Sequence, residues 1–411
     1  PHKGAPPIEQ TWRSIGGKTL LWEVAELLPA HEVTLEHLRS RTTLKWSRHG
    51  PAVLPAWVAD MDFPVADPVA EALERWVRRR DFAYRSDAVD RQVKEALVAW
   101  QERRHGVRFD PALVYLLHGA VQGIHLLTLL ASDRGDGVVV ITPSYHPFLA
   151  AVDEHQRRLL ELRLRRDGAT WRWDGEELDR LGRRGPALLF LCNPHNPTGR
   201  VFTRAELEQL AEWAARHDVL VVSDEIHADL VHDPHVHVPF ASLGPDVAAR
   251  TVTLTAASKT FNLAATHLAF AVPGDARLAA RLAGLGSHAH GHVGEMGMIA
   301  AMAAWEHGVA WLDHVRSYLT ANRDRLTGAL AAAAPAVRYL PPEATYLAWL
   351  DFRETGLGHD PAGTLLHGAG VALSPGLDFG EAGRGFARLN FATTAAILGE
   401  IVARIGGAVT G

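Results

Sequence analysis

The chain has 411 residues, 47% of them hydrophobic, which is enough for a large core. Its 42 basic and 47 acidic residues give a net charge of −5, so no basic surface indicates nucleic-acid binding. The single cysteine, Cys192, excludes an intrachain disulfide and fits a reducing compartment. Because no apolar stretch is long enough to span a bilayer, the sequence predicts a soluble, cytoplasmic protein.

Residues 1 to about 40 give few signals of function. Thr11 to Leu28 could form a helix, and Val33 to Arg39 is typical of a short helix. The pair Asp67-Pro68 predicts the start of a longer helix, with Asp67 as the cap and Pro68 in the first helical position.

Further along, β-branched and apolar runs alternate with polar turns and amphipathic segments. The runs at 113–117, 137–142, 187–192, 219–223 and 251–255 predict buried strands. Repeated strand, loop and helix with continuously apolar strands is typical of an open, largely parallel sheet. Ligands bind such sheets at the carboxyl ends of the strands, so the residues after each strand are the candidates for a site.

Three of these loops carry suitable residues. The glycine turn at 118–123 opens a helix whose first free N–H groups could bind an anion, although many strand-to-helix turns contain glycine. Tyr145 could stack on a planar ligand or simply cover a loop. Two Asn-Pro pairs within 193–197 favour an extended turn that aims amide side chains inward.

Two cations stand out among apolar neighbours. Lys259 follows the run 251–255; desolvation can deprotonate such an amine, which then forms a Schiff base with an aldehyde, although lysines at strand ends are mostly exposed. Arg388 lies in the predicted strand 386–391, where a lone charge needs a partner. Either a ligand carboxylate or a structural ion pair would satisfy it.

Alternate histidines at His288, His290 and His292 could bind a metal. No cysteine or carboxylate flanks them closely, and clustering by chance is expected in a chain with 23 histidines. We therefore predict no metal site.

Four motifs, in this order, resemble those of the fold type I pyridoxal-phosphate enzymes, the large aminotransferase-like family. They are Asn193-Pro-His-Asn-Pro-Thr-Gly199, Ser223-Asp-Glu-Ile-His227, Ser258-Lys-Thr-Phe-Asn262 and Arg388-Leu-Asn390. The resemblance covers about residues 41 to 405. It implies an α/β fold with three αβα layers, a mostly parallel central sheet and a smaller α+β domain.

The resemblance divides the chain into three segments. Residues 1–58 would form an N-terminal extension and a segment joining the small domain, 59–305 the large cofactor-binding domain, and 306–411 the small domain. Short strands and a helix after Val337 indicate the same change of architecture.

The resemblance also gives each residue a role around pyridoxal 5′-phosphate. Lys259 would hold the cofactor as a Schiff base and move the proton at Cα, and Asp224 would keep the pyridinium nitrogen protonated. The cofactor-binding residues it implies are Tyr84, Ala120, Val121, Tyr145, Asn196, Asp224, His227, Ser258 and Lys259. The catalytic residues would be Lys259, Asp224 and Tyr145, and the substrate-binding residues Arg388, Ala59 and Asn196. Tyr84 would reach the phosphate of a neighbouring subunit, so the resemblance implies a homodimer with shared active sites.

A finer resemblance is to the cystathionine β-lyase-like branch of carbon–sulfur lyases. It rests on Leu44-Lys-Trp46, Trp57-Val-Ala-Asp-Met-Asp-Phe-Pro64, Asp224-Glu-Ile-His227, Ser258-Lys-Thr-Phe-Asn-Leu263, Ser374-Pro-Gly-Leu-Asp-Phe-Gly380 and Arg388-Leu-Asn-Phe391. The chain departs from that branch at Ala257, where relatives often have proline, at Ala265, where many have glycine, and in an extension over 1–38.

The implied reaction is β-elimination from a sulfur-containing L-amino acid, giving a thiol, pyruvate and ammonia. An aminotransferase, or a specialised enzyme on the same scaffold, is the alternative, because the reaction branches only after the Cα proton is lost. A cofactor-binding regulatory module without turnover is disfavoured by the complete set Asn196, Asp224, Lys259 and Arg388.

Overall fold

A computed structural model describes residues 33–285 and 292–410. The helix predicted over Thr11 to Leu28, most of the N-terminal extension, and His288 and His290 lie outside the described residues. Within the described ranges, no helix is both long and apolar enough to cross a membrane.

The strands and helices have the following bounds. The strands are β1 (Leu54–Pro55), β2 (Tyr115–Leu117), β3 (Gly137–Thr142), β4 (Arg158–Arg163), β5 (Arg165–Asp167), β6 (Thr170–Arg172), β7 (Pro186–Cys192), β8 (Leu220–Asp224), β9 (Thr251–Thr255), β10 (Ala269–Pro273), β11 (Arg338–Tyr339), β12 (Leu347–Asp351), β13 (Val371–Ala372), β14 (Ser374–Pro375) and β15 (Phe386–Asn390). The α-helices are α1 (Leu35–Ser40), α2 (Leu44–Ser47), α3 (Asp67–Arg79), α4 (Asp87–His105), α5 (Ala120–Ala131), α6 (His146–Glu154), α7 (Gly175–Gly182), α8 (Arg204–Arg216), α9 (Pro245–Ala248), α10 (Ala276–Ala283), α11 (Glu295–His307), α12 (Val309–Ala333), α13 (Pro361–Ala369) and α14 (Ala395–Thr410).

The central sheet has the strand order β2-β10-β9-β8-β7-β3-β4. The pairs from β9 to β4 are parallel, and only β10 runs antiparallel to its neighbours β9 and β2. Because β2 and β9 both oppose β10, β2 points the same way as the parallel strands. The carboxyl ends of β2, β9, β8, β7 and β3 therefore lie at one edge of the sheet.

Helices cover both faces of this sheet. Along β3, Val138 and Val140 belong to one buried cluster, which includes residues of α5, α6 and α10. Val139 and Ile141 belong to a second cluster, which includes residues of α7 and α8. Alternate side chains of a strand point to opposite faces, so the two clusters are the two sides of a three-layer αβα sandwich. The predicted fold of the larger unit is confirmed.

A smaller antiparallel sheet, of order β11-β12-β15-β14, forms the second unit. Helix α13 contacts its strands β14 and β15, and residues of α12 and α14 share one buried cluster with residues of β12 and β15. The short strand β1 pairs in parallel with β13, so the chain before the large sheet returns to the smaller unit. This pairing agrees with a joining role for the segment up to residue 58, and the domain bounds stay a prediction.

Several predicted elements start one or two residues from the predicted position, and the helix predicted from Val33 begins at Leu35. Helix α3 begins at Asp67 itself, after the extended residue Ala66, so Asp67 is an acid of the first turn and not the cap. The predicted strand at 113–117 begins at Tyr115, because Pro111–Leu113 form a 3₁₀ turn whose first N–H group donates to Asp110. The sequence reasoning made no prediction for α4, β4 or β10.

Candidate active site

The loops that follow the parallel strands bring the predicted residues together. Asp224 ends β8 and lies in register with Cys192 of β7 and Leu254 of β9. Asn196 follows β7, and Lys259 comes four residues after β9 ends. These side chains lie at the edge where ligands bind such sheets.

Lys259 donates a hydrogen bond from Nζ to the backbone oxygen of Ala59, at 2.9 Å. Burial lowers the pKa of Lys259, and the charge of Arg388 lowers it further, against the opposing charges of Asp60 and Asp224. The amine is therefore held closer to its neutral, nucleophilic form than an ordinary lysine.

Asp224 is a buried carboxylate, with 3% of its surface exposed. It accepts a hydrogen bond from the N–H group of Ile226 at 3.2 Å, and it forms no ion pair with any residue that the structure describes. Burial, with the neighbouring charge of Glu225, raises the pKa of Asp224 to about 7, although the N–H group of Ile226 and the charge of Lys259 oppose the shift.

Arg388 of β15 faces this edge from the smaller sheet. Its two terminal nitrogens donate to Asn196 Oδ1 at 3.0 Å, to the backbone oxygen of Trp57 at 2.9 Å and to Ser374 Oγ at 3.0 Å. The guanidinium carbon lies 4.9 Å from the centre of the Phe379 ring, a cation–π contact. The arginine is thus held in place by neutral groups only.

The Arg388 charge has no acidic partner within salt-bridge distance in the described part of the chain. Its Nε atom is buried and has no hydrogen-bond partner there. Burial lowers the pKa of Arg388 to about 10. Among the described residues the structure therefore forms no ion pair with Arg388, and the remaining donor is available to a ligand.

Residues 57–63 form the inner wall of the site. The side-chain amide of Asn390 donates to two carbonyl oxygens of this segment, at 2.6 and 2.7 Å, and the amide of Asn262 donates to two others, both at 3.0 Å. Asp62 of this segment also forms a buried ion pair with Lys45, at 3.0 Å. The wall is thus tied to the residues that flank both Lys259 and Arg388.

Tyr346 is a site residue that the sequence reasoning missed. Its hydroxyl donates to the Ala59 oxygen at 2.7 Å, so Tyr346 and Lys259 share one acceptor. The ring centres of Tyr346 and His227 are 6.2 Å apart. Burial and the charges of Lys259 and Arg388 lower the pKa of His227 to about 3, so its imidazole is neutral. His227 Nδ1 is buried without a partner among the described residues.

The start of α5 presents backbone donors. Gly119 is extended and precedes the helix, whose first residues are Ala120 and Val121. Their N–H groups have no partner one turn earlier, as at any helix start, and Val121 is 38% exposed. Tyr145, just before α6, and Ser258 are half-buried, and burial raises the pKa of Tyr145.

Tyr84 lies apart from this cluster. It falls between α3 and α4, its side chain is fully exposed, and it forms no hydrogen bond within the described ranges. The single chain does not bring Tyr84 to Lys259, and the role expected for it, at a neighbouring subunit, stays a prediction.

Comparison with known proteins gives the class of this protein. The sequence model of the family "aminotransferase class I and II" matches residues 58–405. The chain belongs to that family, as its motifs predict.

Within the family, the chain is similar to several lyases. It is 35% identical over 376 residues to the cystathionine beta-lyase PatB of Bacillus subtilis, covering 90% of this chain and 97% of that protein. It is 33% identical over 377 residues to the cystathionine beta-lyase of Corynebacterium glutamicum, covering 90% and 98%. The crystal structure of the PLP-bound C–S lyase from Staphylococcus hominis matches with a TM-score of 0.84 and 28% identity, over 91% of this chain and 96% of that one.

The raised pKa of Asp224 predicts a change in the pH dependence of stability. In the cofactor-free protein the folded-state pKa of about 7 lies above the ordinary 3.8, so the stability that Asp224 contributes at low pH is lost as pH rises between these values. Asp224→Asn should remove this loss, which amounts to at most about 4 kcal/mol. Urea unfolding at about pH 5 and about pH 8 gives the free energy of unfolding of variant and parent. Relative to the parent, the variant should be more stable at the higher pH than at the lower pH.

Asp275→Asn is the matched control of opposite sign. The N–H group of Leu278 holds the pKa of Asp275 below its ordinary value, so this carboxylate stabilises the protein at higher pH and the contribution is lost as pH falls. If Asp224→Asn changes the free energy of unfolding by the same amount at both pH values, the result would contradict a pKa of Asp224 raised by burial.

Proposed function

We propose that the protein is a pyridoxal-phosphate-dependent carbon–sulfur β-lyase that cleaves a sulfur-containing L-amino acid to a thiol, pyruvate and ammonia. The family, the cofactor and the lyase reaction predicted from the motifs are confirmed by the relatives, which are cystathionine beta-lyases and a PLP-bound C–S lyase. The observation in the structure that carries the proposal is the half-buried amine of Lys259 at one edge of the sheet, together with a buried carboxylate and a buried guanidinium that form no ion pair among the described residues.

The residues present fit the cofactor. Asp224 offers a buried carboxylate, without a cation partner among the described residues, for a protonated ring nitrogen. Asn196 could donate its amide to the phenolic oxygen while its own oxygen accepts from Arg388. Backbone donors of Ala120 and Val121, with the Ser258 hydroxyl, would hold the phosphate. When bound, pyridoxal phosphate supplies an electron sink for the carbanion at Cα.

Three residues of the site, Lys259, Arg388 and Ala59, would contact the substrate. Lys259, with its lowered pKa, would take the proton from Cα. Arg388 would bind the α-carboxylate, since it has a free buried donor and no protein counter-ion in the described chain. Ala59 would lie beside the reacting atoms, because its carbonyl already accepts from Lys259.

Tyr145 would lie over the cofactor ring. It is half-buried at the sheet edge, and the charges of both Arg388 and Asp224 influence its pKa, which burial raises. Such a neutral aromatic ring suits stacking on a planar ligand. His227 would lie near the phenolic oxygen as a neutral imidazole, since its lowered pKa excludes a charge there.

The proposed assembly is a homodimer with shared active sites. Tyr84 supports it, because a fully exposed tyrosine beside the 64%-exposed Phe82 presents aromatic surface that a second copy would cover. A cytoplasmic location likewise remains part of the proposal.

Incubation with L-cystathionine in the absence of a keto acid tests the reaction. Pyruvate should appear, because elimination needs no amino acceptor, and Lys259→Ala should release none. Pyruvate is measured with a coupled lactate dehydrogenase assay. Amino transfer that appears only after a keto acid is added, with no pyruvate before, would favour an aminotransferase instead.

The role of Arg388 predicts a change in KM. Arg388→Lys removes the planar fork, so KM for the amino-acid substrate should rise about 10- to 100-fold, while the absorbance of the bound cofactor stays the same. Arg384→Lys is the matched control, because Arg384 pairs with Glu381 on the surface and is 46% exposed. An unchanged KM in Arg388→Lys would contradict carboxylate binding at this residue.

A further inference from the structure

The residue after Asp224 in the chain, Glu225, is a second buried acid, and its partners differ from those of Asp224. Glu225 accepts hydrogen bonds from Ser223 Oγ at 2.8 Å and from the N–H group of Phe240 at 3.0 Å. Its other oxygen lies 3.1 Å from Nε2 of His237, and both side chains are almost completely buried. The proposed chemistry gives Glu225 no task, although it belongs to the motif Asp224-Glu-Ile-His227.

The residue after Lys259 leads to a third buried acid. The Thr260 hydroxyl donates to Asp229 Oδ2 at 2.9 Å, and the indole N–H of Trp100 donates to the same oxygen at 3.1 Å. Nε2 of His105 lies 2.9 Å from Asp229 Oδ1. Although burial acts to raise it, these hydrogen bonds from His105 and Thr260 and the nearby charge of Arg104 hold the pKa of Asp229 below its usual value.

The two acids are connected through histidines. The ring centres of His105 and His237 are 5.3 Å apart, with the rings at 84°. The five side chains Glu225, His237, His105, Asp229 and Thr260, here called the Glu225–Thr260 network, therefore form a continuous buried path. It joins the residue beside Asp224 to the residue beside Lys259.

We propose that the Glu225–Thr260 network positions Lys259 and Asp224 relative to each other. Its members act through those two residues, so they are positioning residues and not catalytic ones. The inference rests on the proposed function only in that Lys259 and Asp224 bind the cofactor; it does not depend on which bond is cleaved.

Two physical arguments support this role. Buried charged networks are poor stabilisers, since well-packed apolar side chains of similar volume do as well or better, so stability alone does not account for two acids and two histidines here. Small errors in the placement of reacting groups are expensive, because a displacement of about 1 Å can cost about 100-fold in rate. The network connects the two loops whose separation sets that placement.

Variants at the two ends of the network test the proposal. Thr260→Val keeps the volume and loses the hydrogen bond to Asp229, and His237→Phe keeps a ring beside His105 and loses the contact with Glu225. Each should lower kcat per bound cofactor by about tenfold, with KM changed by less than about twofold. The double variant should be no worse than about tenfold, because both changes break the same path.

Two controls separate positioning from general damage. Thr260→Ser keeps the hydroxyl and should restore kcat to within about twofold of the parent. Thr251→Val removes another fully buried threonine hydroxyl, at the far end of β9, where it donates to the Val247 oxygen at 2.7 Å. It should leave kcat unchanged.

A further readout does not depend on turnover. In the cofactor-free protein, hydrogen exchange followed by mass spectrometry should increase in the segment 225–232 as well as around 256–264 when Thr260 is changed to Val. Thr260→Ser should change neither. If Thr260→Val increases exchange in both segments but the parent protein shows no lyase activity, the result would count against the proposed reaction and not against the network.

Three results would overturn the proposal. The first is a kcat per bound cofactor equal to that of the parent in both single variants. The second is a double variant whose losses multiply to about 100-fold, which indicates two independent defects. The third is an exchange increase confined to the neighbourhood of residue 260.

Discussion

The site depends on placing three ionisable side chains wholly or partly out of water without a compensating ion pair from the described part of the chain. Asp224 and Arg388 are buried at one edge of the sheet and Lys259 is half-buried there. Burial shifts the pKa of each side chain in the direction that favours its neutral form. Unpaired buried charges cost several kcal/mol, so such an arrangement favours the binding of a ligand that supplies the opposite charges. In the proposed function, a cationic ring nitrogen and a substrate carboxylate would be the complementary charges, and Lys259 would supply the nucleophilic amine.

Rigid surroundings keep this costly arrangement in place. The wall formed by residues 57–63 is held by amides next to both cations, Asn262 and Asn390, and by the buried Lys45–Asp62 pair. Its Ala59 oxygen accepts from Lys259 and Tyr346 together. The Glu225–Thr260 network performs the corresponding task behind the sheet edge. Reacting groups are thus fixed by neighbours that take no part in the chemistry, as pre-organised sites require.

Much of this arrangement is local in sequence and could be predicted. Apolar runs followed by Gly or Asn-Pro turns located the strand ends, and the parallel order places Asn196, Asp224 and Lys259 at one edge. Tyr346 could not be found in this way, because its partner Ala59 lies 287 residues away and nothing local marks the pairing. The choice between a ligand and an ion pair at Arg388 also required tertiary structure, since it depends on which groups surround the guanidinium. The path from Glu225 to Thr260 joins distant segments for the same reason.

The most direct test of the central claim is to locate the covalent bond. Borohydride reduction of the cofactor-loaded protein, followed by digestion and mass spectrometry, should place one reduced pyridoxyl phosphate on the peptide that contains Lys259. Lys259→Arg should take up no label. Lys94 of α4 is the informative rival, because burial also lowers its pKa. Label on Lys94, or on no lysine, would contradict the account.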